Sequence, residues 1–310
     1  MANIYIYDSW RKFWDGGADH WRKAGHDVQK GIYWGPNLSA WADIEVFHPV
    51  ENNLIQASKK SRRREGQRVI AEAVDIDIYA GHPGAVRWDY VTDLVFMSRH
   101  MLDYTFDRYA GKIPAALTKH IVPGGVDTGA FTLRKQEIRG YNVAWVGRLW
   151  IAKNFFGALQ MFNQLVQFDP GHPWRLFIRG EKYHPPHWWK RHCESYIEAN
   201  PRLRGRVIFT DRAEDMNDWY EDKDWLLQTS FKEAFGYVIA EALAKGIQPV
   251  IGMTTGALDI WPDEWVYQTH ADACHMFLSG GEDKDDLRAW VKANYSLEKR
   301  MEAWDAILGL

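Results

Sequence analysis

The sequence predicts an α/β protein made of two doubly wound parallel sheets. Short apolar runs alternate along the chain with segments whose apolar residues recur at helical spacing, the pattern of strand, crossover helix and strand. At 310 residues the chain is long enough for two such cores. A polar, glycine-bearing stretch at 133–142 reads as the break between them, giving expected domains of 1–137 and 138–294.

In chain order, NIYIYD at 3–8 reads as the first strand, and DGGADHWRKAGHDV at 15–28 as a glycine pair, Gly16 and Gly17, leading into a helix that ends at Gly25 and His26. By itself the pair reads equally as a plain turn. SKKSRRREGQR at 58–68 gathers Lys59, Lys60, Arg62, Arg63, Arg64 and Arg68. Such a run is either a solvated loop or a binder of nucleic-acid phosphates or an anionic membrane surface. VDIDIYAGHPG gives a strand over 76–80, then Gly81 and His82 in a loop, and two further strands follow in DLVFMS and KHIVPG. In the second half NVAWVGRLWIAKN reads as a strand, a turn and a lysine, WRLFIRGE and RVIFTD as the next strands, and 288–308 as helical.

The segment 229–246, TSFKEAFGYVIAEALAKG, carries the most chemistry. Val238, Ile239, Ala242 and Leu243 recur at helical spacing, and Lys245 with Gly246 reads as the helix end. Glu233 then lies in the turn before the helix and Glu241 near its first turns. N–H groups of Gly236 and Tyr237 at a helix start suit phosphate, and the two carboxylates suit hydroxyls attached to it. On spacing alone the pair reads first as a solvated turn residue and a surface helix residue. A strand before the helix, DWLLQTS, and another after it, at 248–252, make a βαβ unit, whose ligands sit beyond the carboxyl ends of the strands.

Ser230, Glu233, Phe235, Gly236, Glu241, Ala242, Gly246, Pro249 and Val250 stand in the register of the signature of GT-B-fold retaining glycosyltransferases of the family 4, or group 1, type. The sequence resembles that family elsewhere too. Gly147, Arg148, Lys153 and Asn154 match its Gly-Arg-Leu and Lys-Asn pair, and Gly125, Val126, Asp127 and Phe131 match its Gly-Val-Asp and Phe. The resemblance implies a GT-B fold, two Rossmann-like domains facing a central cleft, with 295–310 crossing back to the first.

It also implies roles. Glu233 would hold the hydroxyls of the transferred sugar and Glu241 the ribose hydroxyls, with Phe235, Gly236 and Tyr237 between them. Arg148 and Lys153 would hold the leaving diphosphate as fixed cations where a metal would otherwise be needed. Thr210, Asp211 and Arg212 would neighbour the base, the Gly16–Gly17 loop would close over the diphosphate, and His82, at a strand's carboxyl end, would line the sugar pocket. The implied reaction moves a sugar from a UDP- or GDP-sugar to an acceptor hydroxyl with retention and without a metal or other cofactor.

The acceptor is where the sequence is least specific. If Lys59, Lys60, Arg62, Arg63 and Arg64 face it, a hydroxyl-bearing modified base in DNA is the first candidate and a lipid-linked or polysaccharide acceptor the second. A nucleotide-sugar epimerase, which needs acid and base on both faces of the sugar carbon, and a non-catalytic binding module remain as other classes. The net charge of −3 argues against a uniformly basic nucleic-acid binder. Two cysteines, Cys193 and Cys274, are too few for a disulfide framework, and neither a signal-like core nor a membrane-length run is present, so a cytoplasmic protein is expected. No metal site is expected: Asp75 and Asp77 lie at the start of the 76–80 strand, the wrong end for a ligand, the EDKDD run near Glu282 lacks a calcium loop's glycine, and His184, His187, His192 and Cys193 lack a regular spacing.

Overall fold

Two six-stranded sheets, parallel throughout, organise the computed structural model, which describes residues 1–136, 140–180, 187–210 and 215–310. The first contains β1 (Asn3–Asp8), β2 (Asp27–Gly31), β3 (Ile44–His48), β4 (Arg68–Ala73), β5 (Asp93–Phe96) and β6 (Thr118–Ile121), in the order β2-β1-β3-β4-β5-β6. The second contains β7 (Asn142–Val146), β8 (Arg175–Arg179), β9 (Val207–Thr210), β10 (Trp225–Gln228), β11 (Gln248–Gly252) and β12 (Val266–Tyr267), in the order β12-β11-β10-β7-β8-β9. Central strands such as β10 and β11 are buried along their whole length, as parallel strands covered on both faces must be.

The chain divides into Met1–Gly124 with Leu297–Leu310, and Gly125–Ser296. Residues 125–136, grouped with the first domain from sequence, pack in the second unit. There the buried Arg134 guanidinium donates to Asp224 Oδ1 at 2.9 Å and to the Lys223 carbonyl at 3.1 Å. The helical stretch at 288–308 is two helices, Lys284–Tyr295 and Leu297–Leu308, separated where Ser296 turns extended at ψ 158°.

The last helix belongs to the first unit, where Met301, Trp304 and Ile307 join Trp14, Trp21, Ile4 and Val46 in one core. Its Arg300 pairs with the fully buried Glu72 of β4, which also accepts from Trp14 Nε1 at 3.1 Å and meets His48 Nδ1 at 2.8 Å. Burial alone would raise the Glu72 carboxyl. The Arg300 and His48 charges outweigh it and hold the group down at about 2.

Two local expectations are corrected here. Gly16 and Gly17 form no loop: they lie in the first turn of the helix Asp15–Lys23, where a Cβ on Gly17 would strike the Trp14 ring at 2.5 Å and one on Gly16 would meet Leu297 at 2.9 Å. Their small size serves helix packing. Residues 75–80 form a helix and not a strand, because Asp77 accepts from the Val74 and Val50 N–H groups at 3.0 and 2.6 Å and Gly81, at φ 93°, closes the helix. Asp75 and Asp77 therefore begin a helix, and the sheet position that the 76–80 strand would have taken is filled by β4.

Candidate active site

In the second unit the strand order reverses between β7 and β10: the chain runs outward through β8 and β9 on one side and through β11 and β12 on the other. The carboxyl ends of β7 and β10 at this reversal are the place where doubly wound sheets take ligands. The β7 loop carries Gly147, Arg148 and Lys153; the β10 loop carries residues 229–236. They are tied together. Thr229 Oγ1 accepts from Trp145 Nε1 at 3.0 Å and donates to the Asn154 carbonyl at 3.0 Å, and Phe231 N donates to the Ala152 carbonyl at 2.9 Å.

This tie brings Lys153 and Glu233 into contact, with Nζ 2.5 Å from Oε1. Ser230 Oγ donates to the same oxygen at 2.8 Å and Gln228 Nε2 at 3.2 Å. Three donors thus converge on Oε1. Among the described residues none reaches Oε2, which stays open as an acceptor. Arg148 lies exposed one turn earlier, after a Gly147 whose backbone packs so closely that a Cβ on Gly180 would sit 2.1 Å from its carbonyl oxygen.

Beyond Glu233 the chain turns through Gly236, at φ 95° in the left-handed region that glycine tolerates, into the helix Tyr237–Ala244. Phe235 anchors the turn by packing against Tyr237, Trp261 and Tyr295. The helix start presents N–H groups and the positive end of its dipole toward the β10 loop. Glu241 follows one turn in. Among the described residues nothing donates to its carboxylate, and burial pushes its pKa up to about 7. Tyr220, whose buried hydroxyl has no partner among the described residues, is raised further still by burial and by the charge of Glu241.

The other expected residues are placed as follows. Thr210 ends β9, and its hydroxyl is used internally, donating to the Ile178 carbonyl at 2.9 Å and accepting from Trp219 Nε1 at 3.1 Å. It borders a cavity of about 320 Å³ lined by Leu149, Ile178, Gly180, Trp189 and Phe209. Asp211 and Arg212 lie outside the described residues, as does His184. His82 is not at a strand's carboxyl end: it opens a short 3-10 turn, His82–Ala85, beyond the 75–80 helix. In the first unit the histidine at such an end is His48, on β3, fully buried against Phe13.

The basic run lies away from the carboxyl edge of its sheet. It follows the helix Asn52–Lys60 and leads into β4, so it lies at the amino edge of its sheet, opposite the edge where ligands bind. Arg64 donates to the Ala42 carbonyl and Arg63 to that of Gln67, while Lys59, Lys60, Arg62, Arg63 and Arg64 are all exposed. Among the described residues no group of three or more His, Cys, Asp or Glu side chains is placed to hold a metal ion. Sequence reasoning missed Gln228; its signal was a polar residue closing an otherwise apolar strand, WLLQ.

The family model described as glycosyl transferases group 1 matches residues 140–298, just over half of the chain. The chain belongs to this family. Among solved structures, it is similar over its whole length to HepE of Anabaena, a structure with UDP and glucose, at 13% identity and a TM-score of 0.74, covering 100% of both chains. A glycosyltransferase from Rickettsia africae is similar at 13% identity and 0.71, covering 98% of each. The pneumococcal O-GlcNAc transferase GtfA, in complex with UDP and GlcNAc, matches at 13% identity and 0.62, over 86% of this chain and 56% of its own. This chain thus spans little more than half the length of GtfA. No curated protein matches. These likenesses establish the GT-B fold, with two Rossmann-like units.

Proposed function

We propose that the protein transfers a sugar from a nucleotide-sugar donor to an acceptor hydroxyl, with retention of configuration, and that the second unit binds the donor. The observation that carries this reading is the meeting of Lys153 and Glu233 at the β7–β10 reversal, one turn from Glu241. A diphosphate takes Lys153 and Arg148, which compensate the charge that develops as the glycosidic bond breaks. The sugar hydroxyls take Glu233, and the ribose hydroxyls take Glu241. The base occupies the cavity beside Thr210. UDP-sugars are the first donors to test, since HepE and GtfA are both solved with UDP. The two fixed cations supply positive charge without a divalent ion, so rates are expected to withstand chelator.

Retention follows from the family resemblance: the leaving phosphate takes the acceptor proton on the face that it vacates, and no protein nucleophile is needed. The acceptor is a hydroxyl compound bound by the first unit. A modified base in DNA draws its support from the basic run, which lies at the amino edge of its sheet, and this leaves lipid-linked and polysaccharide acceptors ahead.

Incubation with UDP-glucose, UDP-N-acetylglucosamine and GDP-mannose, with and without DNA, lipid-linked and polysaccharide acceptors, tests the reading. Acceptor-dependent nucleotide release with an α-linked product from an α-linked donor supports it. Isomerised donor means an epimerase, and neither result in any combination means a binding module. Glu233→Ala is expected to abolish transfer, and full retained activity would remove its role.

A further inference from the structure

Gln228 closes β10 at the carboxyl edge, with 4% of its surface exposed, between Leu227 and Thr229. Its two amide atoms are treated very differently. Nε2 donates to Glu233 Oε1 at 3.2 Å, whereas Oε1 is buried with no hydrogen-bond partner among the described residues. The orientation is fixed by chemistry, because a flipped amide would set its oxygen against the carboxylate oxygen. A buried carbonyl left unpaired destabilises the fold, and a leucine or methionine would fill the same space without that penalty. Packing alone therefore does not account for a glutamine here. The bond to Glu233 does.

We propose that Gln228 is a positioning residue of the donor site, retained to hold Glu233 in place once Lys153 has been drawn away. The proposal rests on the donor-site reading above. In the ligand-free site Lys153, Ser230 and Gln228 share one oxygen of Glu233. A bound diphosphate competes for the Lys153 ammonium with two negative charges against one. When it wins, Ser230 and Gln228 remain as the donors on Oε1, and they keep Oε2 aimed at the sugar. Ser230 belongs to the same turn as Glu233, three residues away; Gln228 reaches in from the end of a buried central strand and supplies the rigid reference. The same polar position does nothing for the nucleotide half of the donor, so its loss separates nucleotide binding from turnover.

The test uses Gln228→Met and Gln228→Leu in the full chain. Nucleotide release from UDP-glucose, UDP-N-acetylglucosamine and GDP-mannose is measured with water as acceptor, together with UDP affinity by calorimetry and thermal stability. The expected result is unchanged or higher Tm, UDP affinity within twofold, and kcat lower by about tenfold to a hundredfold, the effect of losing one hydrogen bond to a charged group. Release within twofold of wild type, in a protein where Glu233→Ala abolishes it, overturns the proposal. A fall in Tm beyond about 10 °C in both variants also overturns it, since several kcal/mol of lost stability would mark a structural residue. Wild-type release by Glu233→Ala, or no release from any donor by the wild type, removes the donor-site reading itself and the proposal with it.

Discussion

Replacing Glu241 by glutamine is expected to stabilise the protein while weakening its hold on the nucleotide. Burial moves this carboxyl from its ordinary 4.5 to about 7, and no donor among the described residues offsets it. Between those two pH values the folded chain binds a proton that the unfolded chain does not, so stability falls as pH rises from 4.5 to 7 and then levels off. At about 1.4 kcal/mol per pH unit the interval is worth about 3 kcal/mol, the most that ionising this group can cost the fold. A glutamine stays neutral and escapes it. Urea unfolding of wild type and Glu241→Gln at pH 8 should therefore differ by up to about 3 kcal/mol in favour of the variant, and at pH 5 by less than about 1 kcal/mol. UDP affinity should move the other way, because an ionised carboxylate is the stronger partner for ribose hydroxyls. A stability difference that is the same at both pH values would refute the reasoning, for it would show that the carboxyl does not titrate in this window.

Gly180→Ala would set a Cβ 2.1 Å from the Gly147 carbonyl, backbone against backbone, and is expected to destabilise by about 1–3 kcal/mol and weaken UDP binding through the displaced Arg148 turn, both readable by urea melts and calorimetry. Arg300→Met leaves Glu72 buried without its guanidinium and should cost about 3–5 kcal/mol in urea melts at neutral pH. In the wild type the depressed Glu72 pKa adds stability that is fully present above pH 4.5 and lost as pH falls toward about 2, so acid melts should narrow the gap between the two proteins. Lys59→Gln, Lys60→Gln and Arg62→Gln combined should leave the salt dependence of transfer unchanged between 50 and 200 mM, as rates at the two salt concentrations would show; a fall in salt dependence returns the polyanion acceptor.

How much of this was legible in the sequence depended on whether the deciding partners were local. β10 and β11 were readable because they are apolar and flank a helix of clear period, and the fold class followed from that alternation. β3 and β4 were passed over because each carries a glutamate next to one end, Glu45 and Glu72, which shortens the apolar run. Both are fully buried. Glu45 is held by Tyr7 at 2.9 Å, Tyr90 at 2.6 Å and Ser39 at 3.1 Å, and Glu72 by Trp14, His48 and an arginine 228 residues away. Burial of a charge is affordable only with such partners, and a linear pattern does not show them. The 75–80 helix hid for the opposite reason: its alternation looks like a strand, and only the Asp77 bonds to two backbone N–H groups decide for a helix.

The candidate site divides along the same line. Glu233, Glu241, Arg148 and Lys153 were legible because they sit in short segments with a register, and the strand order explains why segments 80 residues apart meet: β7 and β10 are neighbours only because the chain reverses between them. Gly16, Gly17 and His82 were chosen from turns whose local structure was misread, and each loses its premise once the helices Asp15–Lys23 and Asp75–Ala80 are in place. Gln228 went unnoticed because its meaning lies in an inequality between two atoms of one side chain, a bonded Nε2 and an orphaned Oε1. A sequence can mark a polar residue at the end of an apolar strand, but whether that residue destabilises the core for the sake of a neighbour is a statement about partners, and only coordinates supply them.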